Sequence, residues 1–216
     1  MARSEGLVVF DIETGPLPNE QLQPFDPNDV KTGNLKDPEK IAAKRKQAEQ
    51  EWRSKLALSA LTGRVLAIGL KFGKDEPAIV TIGEDYPEAE LLSWFWRSYT
   101  KFRSWKWVGF NSGHFDLPFL LRRSLLLGVA PTQGAIDHRG YWHHSFVDLL
   151  DLWRCGDRTL YVKLDDLARA FGIDGKLEGV SGADFAGLLD TDREKAIAYL
   201  EQDLNVTRSL AIAMGA

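Results

Sequence analysis

The chain has 216 residues, of which 44% are hydrophobic and 27% are charged, and its formal net charge is −4. This length suffices for one well-buried domain, and this composition excludes wholesale disorder. The negative charge argues against a protein that coats nucleic acid by electrostatic attraction alone, but it is compatible with a carboxylate site that takes up metal ions. No signal peptide or membrane-length apolar run is visible, and the single Cys155 cannot form an internal disulfide. We therefore expect a cytoplasmic protein with no membrane contact.

Apolar patterning predicts alternating strands and helices. Short apolar runs rich in β-branched and aromatic residues predict five strands, at residues 6–13, 63–73, 77–83, 105–111 and 145–149. The second and third strands form a hairpin with a turn at residues 73–76. Helical spacing predicts helices at residues 87–102 and 117–127, and a mainly helical region from 163 to 214 whose long last helix starts at Thr191. This order indicates an α/β fold with a mixed sheet flanked by helices.

The segment from about residue 16 to 61 does not fit the alternation. It starts as a proline-rich loop, and a helix follows with Asp37 as N-cap and Pro38 at its first position. The apolar residues of this helix fall on one face: Ile41, Ala48, Trp52 and Leu56. The rest of the helix surface is basic, with Lys40, Lys44, Arg45, Lys46, Arg53 and Lys55. A solvated basic face is the commoner explanation, and nucleic-acid contact is the alternative. We interpret residues 1–216 as one domain with this loop and basic helix as an atypical insertion.

Two carboxylates stand at the end of the first predicted strand. Asp11 and Glu13 are two residues apart, so their side chains point to the same face of the strand. Two ionised carboxylates on a buried strand cost several kcal/mol unless a basic partner, water or a cation compensates them. The Asp-x-Glu triplet alone is common by chance, but the carboxyl end of a strand is a frequent place for sites in α/β sheets.

Two further elements carry acidic residues. Asn111 ends the fourth predicted strand, and Phe115 and Asp116 stand where the next helix begins; Asp116 either caps this helix, or belongs to a site, or both. In the last helix, Tyr199 and Asp203 are four residues apart and share a face. A second Tyr-x3-Asp, at Tyr161 and Asp165, lies where an extended segment enters a helix, so those two side chains need not share a face.

Taken together, the three elements resemble the exonuclease motifs of the DEDD superfamily: Asp-x-Glu, Asn-x3-Phe-Asp and Tyr-x3-Asp, in this order. The tyrosine of the third motif is similar to the one that distinguishes the DEDDy type, which includes the proofreading domain of family B DNA polymerases. The chain looks most like the stand-alone predicted polymerase-B-like 3′–5′ exonucleases, and further segments at 147–153 and 163–168 look like that group. The resemblance runs from residue 6 to about 210 and is thinnest over 16–61.

The resemblance implies a ribonuclease-H-like fold with a mixed five-stranded sheet flanked by helices. It implies a two-metal mechanism that releases 5′-mononucleotides from a nucleic acid with a free 3′ end, DNA being favoured over RNA. Asp11, Glu13, Asp116 and Asp203 would hold two divalent cations, Mg²⁺ or Mn²⁺, and Tyr199 would orient the attacking water. Candidate substrate contacts are Thr14, Leu17, Asn111 and Phe115. Any proofreading would need a separate polymerase, so replication or repair proteins are possible partners.

Two other functions share this chemistry. A catalytically silent ribonuclease-H-like module would bind nucleic acid or a replication protein, but it would be expected to have lost at least one acid. A ribonuclease-H-like endonuclease would cut internally, whereas the tyrosine of the last helix favours cleavage from an end. The histidines lack zinc-ligand spacing and are interpreted as loop or surface residues, at His114, His138, His143 and His144. Asp148 and Asp151 are interpreted as a helix cap or as ion-pair partners.

Overall fold

A computed structural model describes residues 6–75, 77–81, 86–137, 140–174 and 182–216. Over these ranges the strands are β1 (Leu7–Pro16), β2 (Gly63–Phe72), β3 (Ala78–Thr81), β4 (Lys106–Gly109) and β5 (Phe146–Asp148). The α-helices of the same ranges are α1 (Pro38–Lys55), α2 (Glu88–Lys101), α3 (Asp116–Leu126), α4 (Leu149–Arg154), α5 (Leu164–Ala170), α6 (Phe185–Thr191) and α7 (Arg193–Met214). None of the described helices is both long enough and apolar enough to cross a membrane.

The strands form one mixed sheet in the order β3-β2-β1-β4-β5. β2 and β3 are antiparallel, with Ala67 opposite Thr81, as expected for the predicted hairpin. β4 is parallel to both of its neighbours, β1 and β5. The predicted five-stranded mixed sheet is therefore confirmed. Of the predicted hairpin, residues 76 and 82–83 lie outside the described residues.

The two faces of β1 pack against different helices. Val9 belongs to a buried cluster with Leu200 and Leu204 of α7. Phe10, the next residue, packs its ring against Phe95 of α2, with the ring centroids 5.8 Å apart. Because successive side chains of a strand point to opposite faces, α7 covers the odd-numbered face of β1 and α2 covers the even-numbered face. Asp11 and Glu13 therefore lie on the face that α7 covers.

A buried ion pair joins α2, α3 and β2. The guanidinium group of Arg123 donates from Nε to Glu88 Oε1 at 2.8 Å and from Nη2 to Glu88 Oε2 at 2.7 Å. Glu88 Oε1 also accepts from the backbone N–H of Val65 at 2.9 Å. Both charged side chains are less than a tenth exposed. The paired geometry offsets the cost of burying two charges, and it fixes both helices to the sheet.

The C-terminal helices differ in one respect from the prediction. The sequence predicts a single helix from Thr191, but Thr191 is the last residue of α6 and α7 starts at Arg193. Between them Asp192 leaves the helical conformation, and its side chain accepts from the backbone N–H of Lys195 at 3.1 Å. The predicted start of the last helix is thus two residues early, because Asp192 takes the N-cap position.

The chain divides into two compact units, of which the smaller is Gly15–Arg64 and the larger holds the rest. Within the smaller unit Asp37 caps α1 as predicted, accepting from the backbone N–H of Glu39 at 3.0 Å. Of the predicted apolar face, Ile41, Ala48 and Trp52 are half-buried, and Leu56, which directly follows α1, is buried. Its Trp52 ring packs on Phe25, with the centroids 5.7 Å apart.

Candidate metal centre

Strand β1 brings Asp11 and Glu13 to the face covered by α7. The paired register of β1 with β4 runs from Leu7 to Val9, so both acids lie just beyond the paired residues. Asp11 is half-buried, whereas Glu13 is only 7% exposed. The two-residue spacing thus produces the shared face that the sequence predicts, at the carboxyl end of the paired stretch.

Helix α7 supplies a third carboxylate, from Asp203. Each of Asp11, Glu13 and Asp203 offers a carboxylate oxygen, and these three oxygens lie within 4.8 Å of one another. Asp203 is buried, as is Tyr199 one helical turn earlier. Leu200 and Leu204, which flank these positions, anchor α7 in the core cluster that contains Val9. Hydrophobic packing therefore holds the acid of α7 beside the acids of β1.

Asp116 joins this group from the first turn of α3. Phe115, and not Asp116, is the N-cap residue of α3, and no side chain caps the helix. Instead Asp116 Oδ1 accepts from the backbone N–H of Ile12 at 3.2 Å, and the Asp116 carboxyl group is also hydrogen-bonded to the side chain of Asp11. The alternative in which Asp116 caps its own helix is therefore wrong.

Burial controls the protonation of Asp116. Desolvation raises the pKa of its carboxyl group to about 7, and the hydrogen bonds from backbone N–H groups and with Asp11 oppose this rise. Nearby Asp148 adds a smaller repulsion in the same direction as burial. Clustered carboxylates with a raised pKa mark a place where a cation can replace a proton.

The acids open into a cleft of about 440 Å³. Among the residues predicted to act in a site, those that line it are Asp11, Asn111, Phe115, Asp116, Tyr199 and Asp203. A Cβ atom added to Gly182 would lie 3.5 Å from Glu13 Oε2 and 3.9 Å from the Tyr199 hydroxyl, so both groups face Gly182 at this cleft. Thr14 and Leu17 are not among the described lining residues; Thr14 is half-buried and Leu17 is buried.

The donor set fits a hard divalent cation. It consists of carboxylate oxygens alone, which Mg²⁺ and Mn²⁺ prefer, and neither histidine nor cysteine is among the described residues that line the cleft. Several carboxylates so close together repel one another unless protons or cations neutralise them. The residues present therefore suit a metal centre.

Comparison with known proteins identifies the family. A family model described as a predicted 3′–5′ exonuclease related to the exonuclease domain of PolB matches residues 58–210. The chain belongs to this family. The match includes Asp116, Tyr199 and Asp203 but begins after Asp11 and Glu13, so it is shorter than the resemblance read from the motifs.

A solved structure extends the likeness of this PolB-related family member to nearly its whole length. The family B DNA polymerase from the archaeon Pyrobaculum calidifontis matches with a TM-score of 0.63 and 18% identity, over 97% of this chain and 24% of the polymerase chain. At this identity the likeness shows the fold, which is the α/β, ribonuclease-H-like fold of a polymerase exonuclease domain. The chain spans about a quarter of the polymerase. No curated protein matches the chain.

A second acidic cluster, at His114, Asp148 and Asp151, supports the loop before α3. Asp148 accepts from the backbone N–H groups of Asn111 at 2.8 Å and Gly113 at 2.9 Å, and it caps α4 by accepting from Leu150 N–H at 2.9 Å. Asp151 bonds His114 Nε2 at 2.9 Å and also accepts from Arg154. Asp148 is thus a helix cap and Asp151 an ion-pair partner, as predicted.

The hydrogen bonds of Asp148 hold Asn111 in a left-handed conformation, with φ of 59°. Burial raises the pKa of the Asp148 carboxyl group, and the N–H donors of the loop counter this rise. His143 and His144 are not among the described residues that line the cleft. His143 Nδ1 is hydrogen-bonded to Ser145 Oγ at 2.8 Å, and His144 is exposed beside it in the loop before β5. His138 lies outside the described residues.

One wall of the cleft in this family member consists of residues that the sequence patterns did not single out for the site. Tyr161 and Asp165, set aside as a rival Tyr-x3-Asp, both line the same cleft as Asp203, together with Lys163 and Thr207. Lys163 is the only basic side chain among the described residues that line it. A signal was present, because Asp165 stands in the family-like segment at 163–168 and Tyr161 just before it, but the transition from extended chain to helix hid the shared direction of the two side chains.

Proposed function

We propose that this chain is a metal-dependent 3′–5′ exonuclease of the DEDDy type. It would hydrolyse terminal phosphodiesters of a nucleic acid with a free 3′ end, DNA being favoured over RNA, and release 5′-mononucleotides. The observation that carries the proposal is the convergence of Asp11, Glu13 and Asp203, whose carboxylate oxygens lie within 4.8 Å, in a cleft that also contains Asp116. Membership of the PolB-related exonuclease family supports the same reaction.

The four acids would hold two divalent cations, Mg²⁺ or Mn²⁺. Bound cations supply Lewis-acid chemistry, since they promote ionisation of an attacking water and neutralise the charge of the phosphodiester. Asp203 and Asp11 face each other from α7 and β1, so a cation between them would be held by two independent elements. Asp116 would lose its proton when a cation binds, because burial has raised its pKa to about 7.

Other cleft residues would position water and substrate. The Tyr199 hydroxyl, which faces Gly182 as Glu13 does, would orient the attacking water rather than deprotonate it, since a neutral phenol is a weak base. Lys163 would offset the charge of a bound phosphate. Asn111 and Phe115 would contact the terminal nucleotide from the loop before α3. Contacts by Thr14 and Leu17, a cytoplasmic location, and replication or repair proteins as partners stay predictions.

The test is digestion of single-stranded DNA labelled at either end, with Mg²⁺, Mn²⁺ or EDTA. Asp11→Ala and Asp203→Ala should each lower the rate by at least about 10²-fold, because each removes a ligand. Asp190→Ala is the matched control, since Asp190 is exposed on α6 and does not line the cleft. Thermal unfolding should show that all three variants fold.

Each result selects one function. Stepwise loss of mononucleotides from the 3′ end, dependent on metal and on both acids, supports the proposal. Internal cuts by the wild-type protein would indicate an endonuclease. Tight binding without any cleavage would indicate a catalytically silent module.

A further inference from the structure

The extended segment before α5 presents alternate side chains to the core and to the cleft. Val162 packs against the buried cluster that contains Val108 and Leu149, as does Leu164, which starts α5 and also lines the cleft. Tyr161 and Lys163 line the cleft. This alternation is that of an extended chain, in which residues two apart point the same way. Core packing therefore fixes the direction in which the Tyr161 ring projects.

The backbone beside Tyr161 is also held by side chains. Arg154 Nε donates to the carbonyl oxygen of Leu160 at 2.7 Å, and Asp151 accepts from Arg154 at 3.2 Å. Asp157 Oδ1 accepts from the backbone N–H of Thr159 at 2.9 Å, which closes the preceding turn. A ring on such a backbone loses little conformational freedom when a ligand packs on it.

Tyr161 is 64% exposed, although it lines a cleft. A large aromatic side chain in that position leaves its ring face available to a planar ligand. On the same side of the segment, Lys163 places a positive charge two residues away. An aromatic face followed by a cation matches the alternation of base and phosphate along a single nucleic-acid strand.

We propose that Tyr161 is a stacking platform for a nucleobase of the bound strand. The inference rests on the proposed function, since it takes a nucleic acid as the substrate of the cleft. With a phosphodiester at the acids, a neighbouring base stacks on the Tyr161 ring. Because every base has an aromatic face, this subsite accepts all four bases and favours unpaired over paired nucleotides.

The test measures binding of a short fluorescein-labelled oligothymidylate in Ca²⁺, with a phosphorothioate in its 3′-terminal linkage to slow hydrolysis. Tyr161→Ala should weaken binding by about 5- to 150-fold, because one stacked base contributes about 1–3 kcal/mol. Tyr161→Phe, which keeps the ring, should bind within about 2-fold of wild type. Tyr141→Ala is the matched control: Tyr141 is 66% exposed but does not line the cleft, so binding should not change.

A series of abasic oligonucleotides locates the stacked base. At one position near the 3′ end, removal of the base should abolish the difference between wild type and Tyr161→Ala, as expected for two groups that contact each other. Equal binding of the two proteins to every oligonucleotide would overturn the inference. Unchanged melting temperatures should accompany the losses, because the altered side chain is exposed.

Digestion of the unmodified oligonucleotide in Mg²⁺ separates this inference from the proposed function. If wild type digests it and Tyr161→Ala binds normally, the stacking platform is wrong and the exonuclease stands. If Tyr161→Ala weakens binding but wild type does not digest, the platform stands on a nucleic-acid-binding module. If wild type neither binds nor digests, both proposals fall.

Discussion

The Asp116 carboxylate accepts a hydrogen bond from the backbone N–H of Ile12 at 3.2 Å, although 104 residues separate them in sequence. Ile12 lies between Asp11 and Glu13, so this bond ties the first turn of α3 directly to the acidic end of β1. Asp116 is only 4% exposed. The position of one proposed ligand is thus set by the backbone between two others, and a change at Asp116 affects the geometry as well as the charge of the cleft.

The metal-free protein should lose stability as the pH rises from about 4 to about 7. Burial raises the pKa of Asp116 to about 7 in the folded state, above the ordinary 3.8. Between these values the unfolded chain gives up its proton and the folded chain keeps it, so the contribution of Asp116 is complete below about pH 4 and is lost by about pH 7. Each pKa unit corresponds to about 1.4 kcal/mol.

Urea unfolding in EDTA across this pH range measures the effect. Asp116→Asn cannot ionise and should give a flatter stability curve over the same range. Added Mg²⁺ or Mn²⁺ should stabilise wild type more at pH 8 than at pH 5, because cations bind the ionised carboxylates. Identical pH profiles for wild type and Asp116→Asn would contradict the raised pKa.

Asp148 should matter for the loop that carries Phe115 and Asp116. Asp148→Ala removes the acceptor of Asn111 and Gly113, and the free energy of unfolding should fall by about 1–2 kcal/mol because two half-buried N–H groups lose their partner. Asp148→Asn should have a smaller effect. Its single oxygen can replace Oδ1, which serves Asn111, but not Oδ2, which serves Gly113.

Under the proposed function both variants should also hydrolyse more slowly, at temperatures where they remain folded. Hydrolysis rate and urea midpoint, measured on the same preparations, separate the two effects. Asp190→Ala serves again as the control. Full activity in Asp148→Ala would show that the loop does not depend on this carboxylate.

The Glu88–Arg123 pair should be among the costliest buried contacts to break. Glu88→Gln removes the carboxylate charge that accepts from Nε and Nη2 of the buried Arg123 guanidinium group, and it should lower the free energy of unfolding by about 3 kcal/mol or more. Replacement of both residues by methionine should recover part of this loss. The exposed pair of Arg169 with Asp166 is the comparison, and Asp166→Asn should change stability by less than about 0.5 kcal/mol. Urea midpoints provide the measurement.

Gly69 allows α7 to lie close to β2. A Cβ atom there would lie 2.6 Å from Leu204 Cδ1 and 3.2 Å from Leu200 Cγ, both in the buried cluster. Gly69→Ala should therefore displace α7, destabilise the protein by about 1–3 kcal/mol and, under the proposed function, slow hydrolysis by moving Asp203. Adding Leu204→Val, which removes Cδ1, should restore part of the lost stability and part of the lost hydrolysis rate. Wild-type stability in the Gly69→Ala protein, measured by urea unfolding, would show that the helix adjusts freely.

Local periodicity was sufficient to predict the sheet and the shared faces of two pairs of candidate residues. A two-residue spacing on a strand placed Asp11 and Glu13 on one face, and a four-residue spacing on a helix did the same for Tyr199 and Asp203. Both spacings act within a single element. The fold class followed because apolar runs and amphipathic stretches alternate along most of the chain.

Contacts between residues that are distant in sequence could not be predicted from local patterns. At the start of a helix, aspartate usually caps, and only the tertiary structure shows that Asp116 instead bonds to Ile12. Tyr161 reaches the cleft because Val162 packs in a core that forms from distant segments. The spacing of apolar residues in α1 predicts a buried face, but the periodicity does not say how much neighbouring surface covers it.

The segment Gly15–Arg64 begins and ends at neighbouring points, since the backbone N–H of Leu17 donates to the carbonyl oxygen of Thr62 at 2.9 Å. β1 stops at Pro16 and β2 starts at Gly63, so a tight turn could join them directly. Recombination could therefore shorten, lengthen or replace the segment Gly15–Arg64 while the acids of β1 keep their positions.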